Sequence, residues 1–185
     1  MEKLQAAGCR IKRVPLMEDA EDVHARHTAL CMYELALVHR EALTERGLGD
    51  DWLQQATKLG WPEGVVAAIE EGTRVEESAY RRGLTGMTLL RSQLDQAREE
   101  HQLDAWLSPA SVEGFAPRLD ENFTGDPAMN RPWSHSGSPV ASIPTAGIEV
   151  DGCRLPTALQ LAGPFGEDER TLATAAKLHA MLSSR

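Results

Sequence analysis

Apolar residues recur at helical spacing through most of the chain. Asp19 is placed to cap a helix running to about Arg46, with Gly47 as its stop. Val23, His27, Leu30, Tyr33 and Leu37 mark one face of it. Asp50–Leu59 reads as a shorter helix closed by Gly60, and Pro62 and Gly72 bracket the next one. Thr73-Arg-Val-Glu76 has the form of a capping box, in which the threonine accepts from the Glu76 amide while the carboxylate reaches back. It is expected to open the longest helix, ending near His101, with Ala79, Gly83, Met87, Leu90, Leu94 and Ala97 as its stripe. Gly83 and Gly86 weaken a helix, so a closely packed neighbour is expected beside them. A last helix spans about Glu167–Leu182; its acidic first turn and its late Lys177 and His179 suit the helix dipole.

Between the helices lie short apolar runs. Met1–Ala7 reads as the last turns of a helix closed by Gly8, followed by a strand over Cys9–Leu16. A domain seldom opens on the tail of a helix, so further chain is expected upstream. Leu103–Leu107 reads as a buried strand broken at Ser108-Pro109, and two more strands fall near Val140–Ile143 and Thr157–Leu161. Asp151-Gly152 marks a hairpin-like insert. Ala110–Pro132 reads as a long loop, a kind of segment that often carries function. The expected class is α/β: a helix-rich chain with about four short strands of a parallel or mixed sheet and helices on its faces. Four strands so placed would be part of a larger sheet.

The length of 185 residues fits one domain. A net charge of −9 argues against nonspecific binding to nucleic acid or to an anionic membrane, where a basic face would be needed. No apolar run approaches the ~20 residues of a membrane span, and the N-terminus lacks a signal-peptide core. Cys9, Cys31 and Cys153 are widely spaced and odd in number, which fits reduced thiols and a cytoplasmic setting. Small motifs carry little chemistry. His24 and His27 share a helix face without a carboxylate to complete a metal set. Ser134-His135-Ser136 are adjacent, so their side chains diverge, and no GxSxG elbow accompanies them. Glu34 and His39 lie on different helical faces and suit structural hydrogen bonds. Cys153 reads as an inert surface thiol.

The most informative stretch runs from Thr124 to Gly163. Thr124-Gly-Asp-Pro127, Asn130, Pro132 and Trp133 precede Gly137-Ser-Pro139, Pro144, Leu155-Pro156 and Gln160-Leu-Ala-Gly163. Upstream lie Leu4–Pro15 (helix, glycine, strand), Glu34-Leu-Ala36-Leu-Val-His39, Gly72 with Glu76 and Tyr80, and Leu103-Asp104-Ala-Trp-Leu-Ser-Pro109. Their order and spacing resemble the C-terminal portion of the amidase signature family, the serine amidases that hydrolyse carboxamides.

The resemblance implies a reaction in which one serine attacks the amide carbon and a second, on a cis peptide, relays a proton to a neutral lysine. Those serines sit in a GSSGGS-type loop and the lysine in a G-x-P-x-x-x-K-D strand. Neither motif is in this chain. Its lysines are Lys3, Lys12, Lys58 and Lys177, and Ser134–Ser138 lacks the glycine pair. No catalytic residue is therefore assigned, and no metal or organic cofactor is implied. Residues 1–185 are expected to be the C-terminal portion of an amidase signature domain, lacking the catalytic half and inactive alone. By the match, Asp126, Asn130 and Trp133 are substrate-pocket candidates, Trp133 as a flat apolar wall and the others as holders of polar atoms. The expected partner is a small-molecule amide, once the catalytic half is supplied. The family's amides are aliphatic, aromatic or peptide-derived, or glutamine for tRNA amidation; the TGDP loop fits ordinary amidases better. Two alternatives stand beside this: a complementing subunit of a split amidase, or a noncatalytic binding or assembly module. Either would use the uncovered sheet to meet a partner chain or a second copy.

Overall fold

Helical periodicity in the sequence becomes seven α-helices among the described residues, in the order α1 (Glu2–Ala6), α2 (Ala20–Glu45), α3 (Trp52–Lys58), α4 (Glu63–Thr73), α5 (Glu77–His101), α6 (Arg131–Ser136) and α7 (Asp168–Ser183). Five short strands accompany them: β1 (Trp106–Pro109), β2 (Val140–Pro144), β3 (Ile148–Val150), β4 (Cys153–Leu155) and β5 (Ala158–Ala162). The computed structural model describes residues 1–17, 19–47, 51–115 and 126–183. It divides into two units, one made of Met1–Ala20 with Thr88–Arg185 and the other of Glu21–Met87.

The Glu21–Met87 unit is helical. Ala36, Leu43, Trp52, Ala56 and Ile69 form its core, with Leu35, Leu53, Trp61 and Val66 packed around them. Burial of such side chains contributes about 1.5–3 kcal/mol each for the larger ones. The expected close neighbour of the helical glycines is α2: a Cβ on Gly83 would lie 3.0 Å from the Arg26 carbonyl oxygen and from Leu30 Cβ. Gly72 meets α2 more tightly still, since a Cβ there would collide with the Met32 carbonyl oxygen. The capping box is not formed. The Thr73 hydroxyl instead donates to the Glu70 carbonyl at 2.7 Å, inside the last turn of α4. Helix α5 begins at Glu77, and the Glu76 carbonyl accepts from the Ala79 and Tyr80 amides. Local back-bonding to its own helix has won over the cap.

The other unit holds the sheet. Its strand order is β1-β5-β2, and both neighbours run antiparallel to β5, so the expected parallel or mixed pairing is corrected. The helix-rich α/β class stands. Leu107 faces Leu161, and Ala141 faces the same residue from β2. Ile143, Leu161 and Ala175 form the core between the sheet and α7, joined by Leu107, Leu178 and Leu182. The hairpin at Asp151-Gly152 is present as β3–β4, with both turn residues at positive φ. Strand β1 continues through Ser108-Pro109 rather than breaking there. It is an edge strand, where proline's missing N–H is tolerated.

Helix α1 ends as the sequence implies, with Gly8 N–H on the Gln5 carbonyl and Cys9 N–H on that of Leu4. The strand expected over Cys9–Leu16 does not form. A strand exists only through its ladder, and no described residue pairs with this segment's main chain beyond Cys9. An anchor past that point is Lys12, whose ammonium donates to the His101 carbonyl at 2.9 Å.

Candidate functional site

The segment that the sequence marks as a pocket loop lies against one face of β5. Asp126 starts it: its Oδ1 accepts from the Ala128 amide at 2.9 Å and caps a 3-10 turn over Pro127–Met129. Asn130 closes that turn, its amide donating to the Pro127 carbonyl at 2.8 Å, and its own carbonyl then accepts from Ser134 as α6 begins. Asp126 and Asn130 therefore stand at the two ends of one turn, both exposed. Thr124 and Gly125, the first half of the TGDP motif, lie outside the described residues.

Trp133 is placed differently. It is 7% exposed, an interior side chain rather than an open wall. Its indole nitrogen is buried and has no hydrogen-bond acceptor among the described residues. His135 and Ser136 are also buried, at 1% and 0%. The Ser136 hydroxyl donates to the Trp133 carbonyl at 3.1 Å and contacts the Ser138 hydroxyl at 2.8 Å. This is turn chemistry inside a helix end, as expected for Ser134–Ser136. Gly137 closes α6 in the left-handed region, at φ 71°, with its amide on Ser134 and that of Ser138 on Trp133. Arg91 of α5 braces this point. Its Nε donates to the Ser136 carbonyl at 2.9 Å, and its guanidinium lies 3.4 Å above the Phe165 ring.

The residue that fixes the loop to the sheet is Gln160, 2% exposed in the middle of β5. Its Nε2 donates to Ser108 Oγ at 2.9 Å and to the Met129 carbonyl at 2.5 Å. One buried amide thus ties β1, β5 and the 3-10 turn together. Sequence reasoning places Gln160 in a motif without giving it this role. The available signal is a lone amide inside the apolar run Ala158–Ala162.

The remaining candidates are structural. Glu34 accepts from the Tyr80 hydroxyl at 3.2 Å, while Tyr33 stacks on Tyr80. Burial, then the bond to Glu34, raises the Tyr80 pKa above its ordinary value. His39 donates from Nδ1 to the Leu35 carbonyl at 2.7 Å and meets Trp61 edge-on. His27 sits beside Cys31, and burial lowers its pKa. Among the described residues no three His, Cys, Asp or Glu side chains come together as a metal site. No helix among them is long and apolar enough to cross a membrane.

This helix-rich α/β fold with its small antiparallel sheet has a counterpart in part of a solved amidase. One solved amidase superposes with a TM-score of 0.71 and 28% identity, covering 98% of this chain and 40% of that one. A chain of a vestigial protein complex, described as revealing the origins of an s-triazine catabolic enzyme, matches the fold with a TM-score of 0.66. Its identity is 20%, over 98% of this chain and 37% of that one. In sequence, 92 residues are 36% identical to the A-subunit of the mitochondrial glutamyl-tRNA(Gln) amidotransferase of Fusarium vanettenii, 46% of this chain and 17% of the relative. No family model matches. The resemblance to the amidase signature family therefore holds in sequence and in fold. The chain spans about two-fifths of the solved amidase and a smaller share of the curated relative.

Proposed function

We propose that residues 1–185 correspond to the C-terminal, pocket-forming portion of an amidase signature domain and supply no catalytic residue. The observation that carries this is the amidase fold running through 98% of the chain at 28% identity. It is supported by the ordered motifs from Leu4 to Gly163, with the GSSGGS loop and the lysine strand found nowhere in the sequence. Hydrolysis of a carboxamide needs an activated nucleophile, and positioning alone recovers little of the rate. The chain acts once the half that carries the serines and the lysine is supplied; a second reading makes that half a companion polypeptide, as in a split amidase. Its own contribution is the turn from Asp126 to Asn130, held on β5 by Gln160, with exposed polar groups at both ends for a small-molecule amide. Trp133 backs that turn from the interior, and its indole N–H is a donor in reserve. The free thiols of Cys9, Cys31 and Cys153 suit a cytoplasmic setting.

A graft tests this. The chain replaces the corresponding stretch of the solved amidase it matches, and ammonia release from a simple carboxamide is followed. The graft is expected to hydrolyse, with Asp126→Ala and Asn130→Ala raising KM more than they lower kcat. A folded graft whose kinetics ignore both substitutions would remove the pocket role.

A further inference from the structure

A groove of about 560 Å³ lies beside β1, between the segment after α1 and helix α7. Cys9, Arg10, Ile11 and Lys12 contribute to it from the segment after α1, and Leu103, Asp104, Ala105 and Leu107 from the approach to β1 and the strand itself. Its apolar surface is completed by Leu4, Leu161, Leu178 and Met181. Two stretches of main chain border this space with a side open to ladder pairing among the described residues. Strand β1 is the edge of the sheet, with no described strand beyond it. The Arg10–Leu16 segment makes no main-chain hydrogen bond with any described residue, although its sequence is that of a strand.

The rim has a charge of its own. Among the described residues Arg10, Lys12, Arg170 and Lys177 border the groove, against Asp104 alone. Arg170 is paired with Glu167 at 2.9 Å and reaches Asp104 at 3.7 Å, and Lys12 is held by the His101 carbonyl, which leaves the excess to Arg10, Lys12 and Lys177. This excess sits in a chain of net charge −9. An unpaired strand edge, a second unpaired segment, an apolar floor and a cationic rim together define a receptor for a strand.

We propose that this groove receives a β-strand from a companion polypeptide, one that alternates apolar and acidic residues. The apolar side chains enter the floor between Leu107 and Leu178. The acidic ones meet Arg10 and Lys177. The strand's main chain pairs with β1 and gives Arg10–Val14 the ladder that it lacks. This rests on the reading above that the chain works with a companion, and it specifies where that companion attaches.

The test uses a blocked peptide of alternating glutamate and valine, about seven residues long to match a typical strand. It is titrated into the full chain while amide hydrogen exchange is followed by NMR. Binding is expected with new protection at alternate amides of the Arg10–Val14 segment and at Leu107. The double variant Arg10→Glu, Lys177→Glu should weaken binding roughly tenfold. A lysine–valine peptide should bind the double variant better than the native chain. A peptide N-methylated at alternate residues should not bind. Absence of binding overturns the proposal. So does equal binding of the N-methylated peptide, or binding without protection at β1, since either means a groove filled by apolar contact alone. The graft experiment is independent of these results. If the graft hydrolyses amides and the acidic peptide fails here, the attachment site is wrong while the functional reading survives.

Discussion

The side-chain amide of Gln160 donates to the main-chain carbonyl of Met129 from the buried centre of β5. Through this bond the 3-10 turn carrying Asp126 and Asn130 is held to the sheet rather than by its own short helix. Replacing Gln160 with Leu preserves the side chain's approximate size but leaves the Met129 carbonyl and the Ser108 hydroxyl without their donor. The expected cost is about 1–3 kcal/mol in urea unfolding. Faster amide exchange at Ala128 and Asn130 should accompany it. Gln160→Glu should be worse, because a carboxylate would face the same carbonyl oxygen. A Leu variant with unchanged exchange in the turn would mean that other contacts hold it.

Two glycines of α4 should respond in opposite directions. Gly72→Ala drives a methyl into the Met32 carbonyl oxygen, a main-chain atom that cannot swing aside. A loss of about 2–3 kcal/mol is expected. Gly64 has nothing within 4 Å of its added Cβ, so Gly64→Ala should stabilise by about 0.5 kcal/mol through reduced freedom of the unfolded chain. Thermal unfolding of both variants checks the pair. Similar shifts in both would contradict the close approach of α2 and α4.

His27 introduces a dependence on pH. Its pKa in the folded chain lies below the ordinary 6.5, because burial disfavours the charged ring. The unfolded chain therefore binds the proton more readily. This contribution to stability is complete above the unfolded value and declines as pH falls through 6.5 toward the folded pKa. Urea midpoints measured downward from neutral pH should fall less in His27→Gln than in the native chain. Parallel midpoints would assign the acid sensitivity to other groups.

What the sequence reveals and what it hides divide along physical lines. The stripe through Gly83, Leu90 and Leu94 is readable because helix periodicity is local, and all three are buried. The close neighbour of Gly83 follows from the cost of glycine in a helix. Strand pairing is not readable in the same way. Short apolar runs such as Val140–Ile143 carry no mark of direction, and long helical connections point to parallel strands where β5 pairs antiparallel on both sides. The Cys9–Leu16 segment shows the same limit from the other end: its residues favour a strand, but no described residue offers the main chain beyond Cys9 a ladder. At the candidate site, Asp126 and Asn130 are singled out only by their place in a motif. The interior position of Trp133 and the bracing by Arg91 and Gln160 depend on contacts between residues far apart in the chain, which no local pattern encodes.

The central claim is that the reactive hydroxyl of this amidase-like chain lies outside it. A fluorophosphonate, which bonds covalently to an activated serine, reads this directly when followed by intact-mass and peptide mapping. The isolated chain is expected to remain unmodified, while the graft into the solved amidase acquires one adduct, on a serine contributed by the amidase. An adduct on any serine within residues 1–185 of the isolated chain, Ser134 and Ser136 included, would contradict the account.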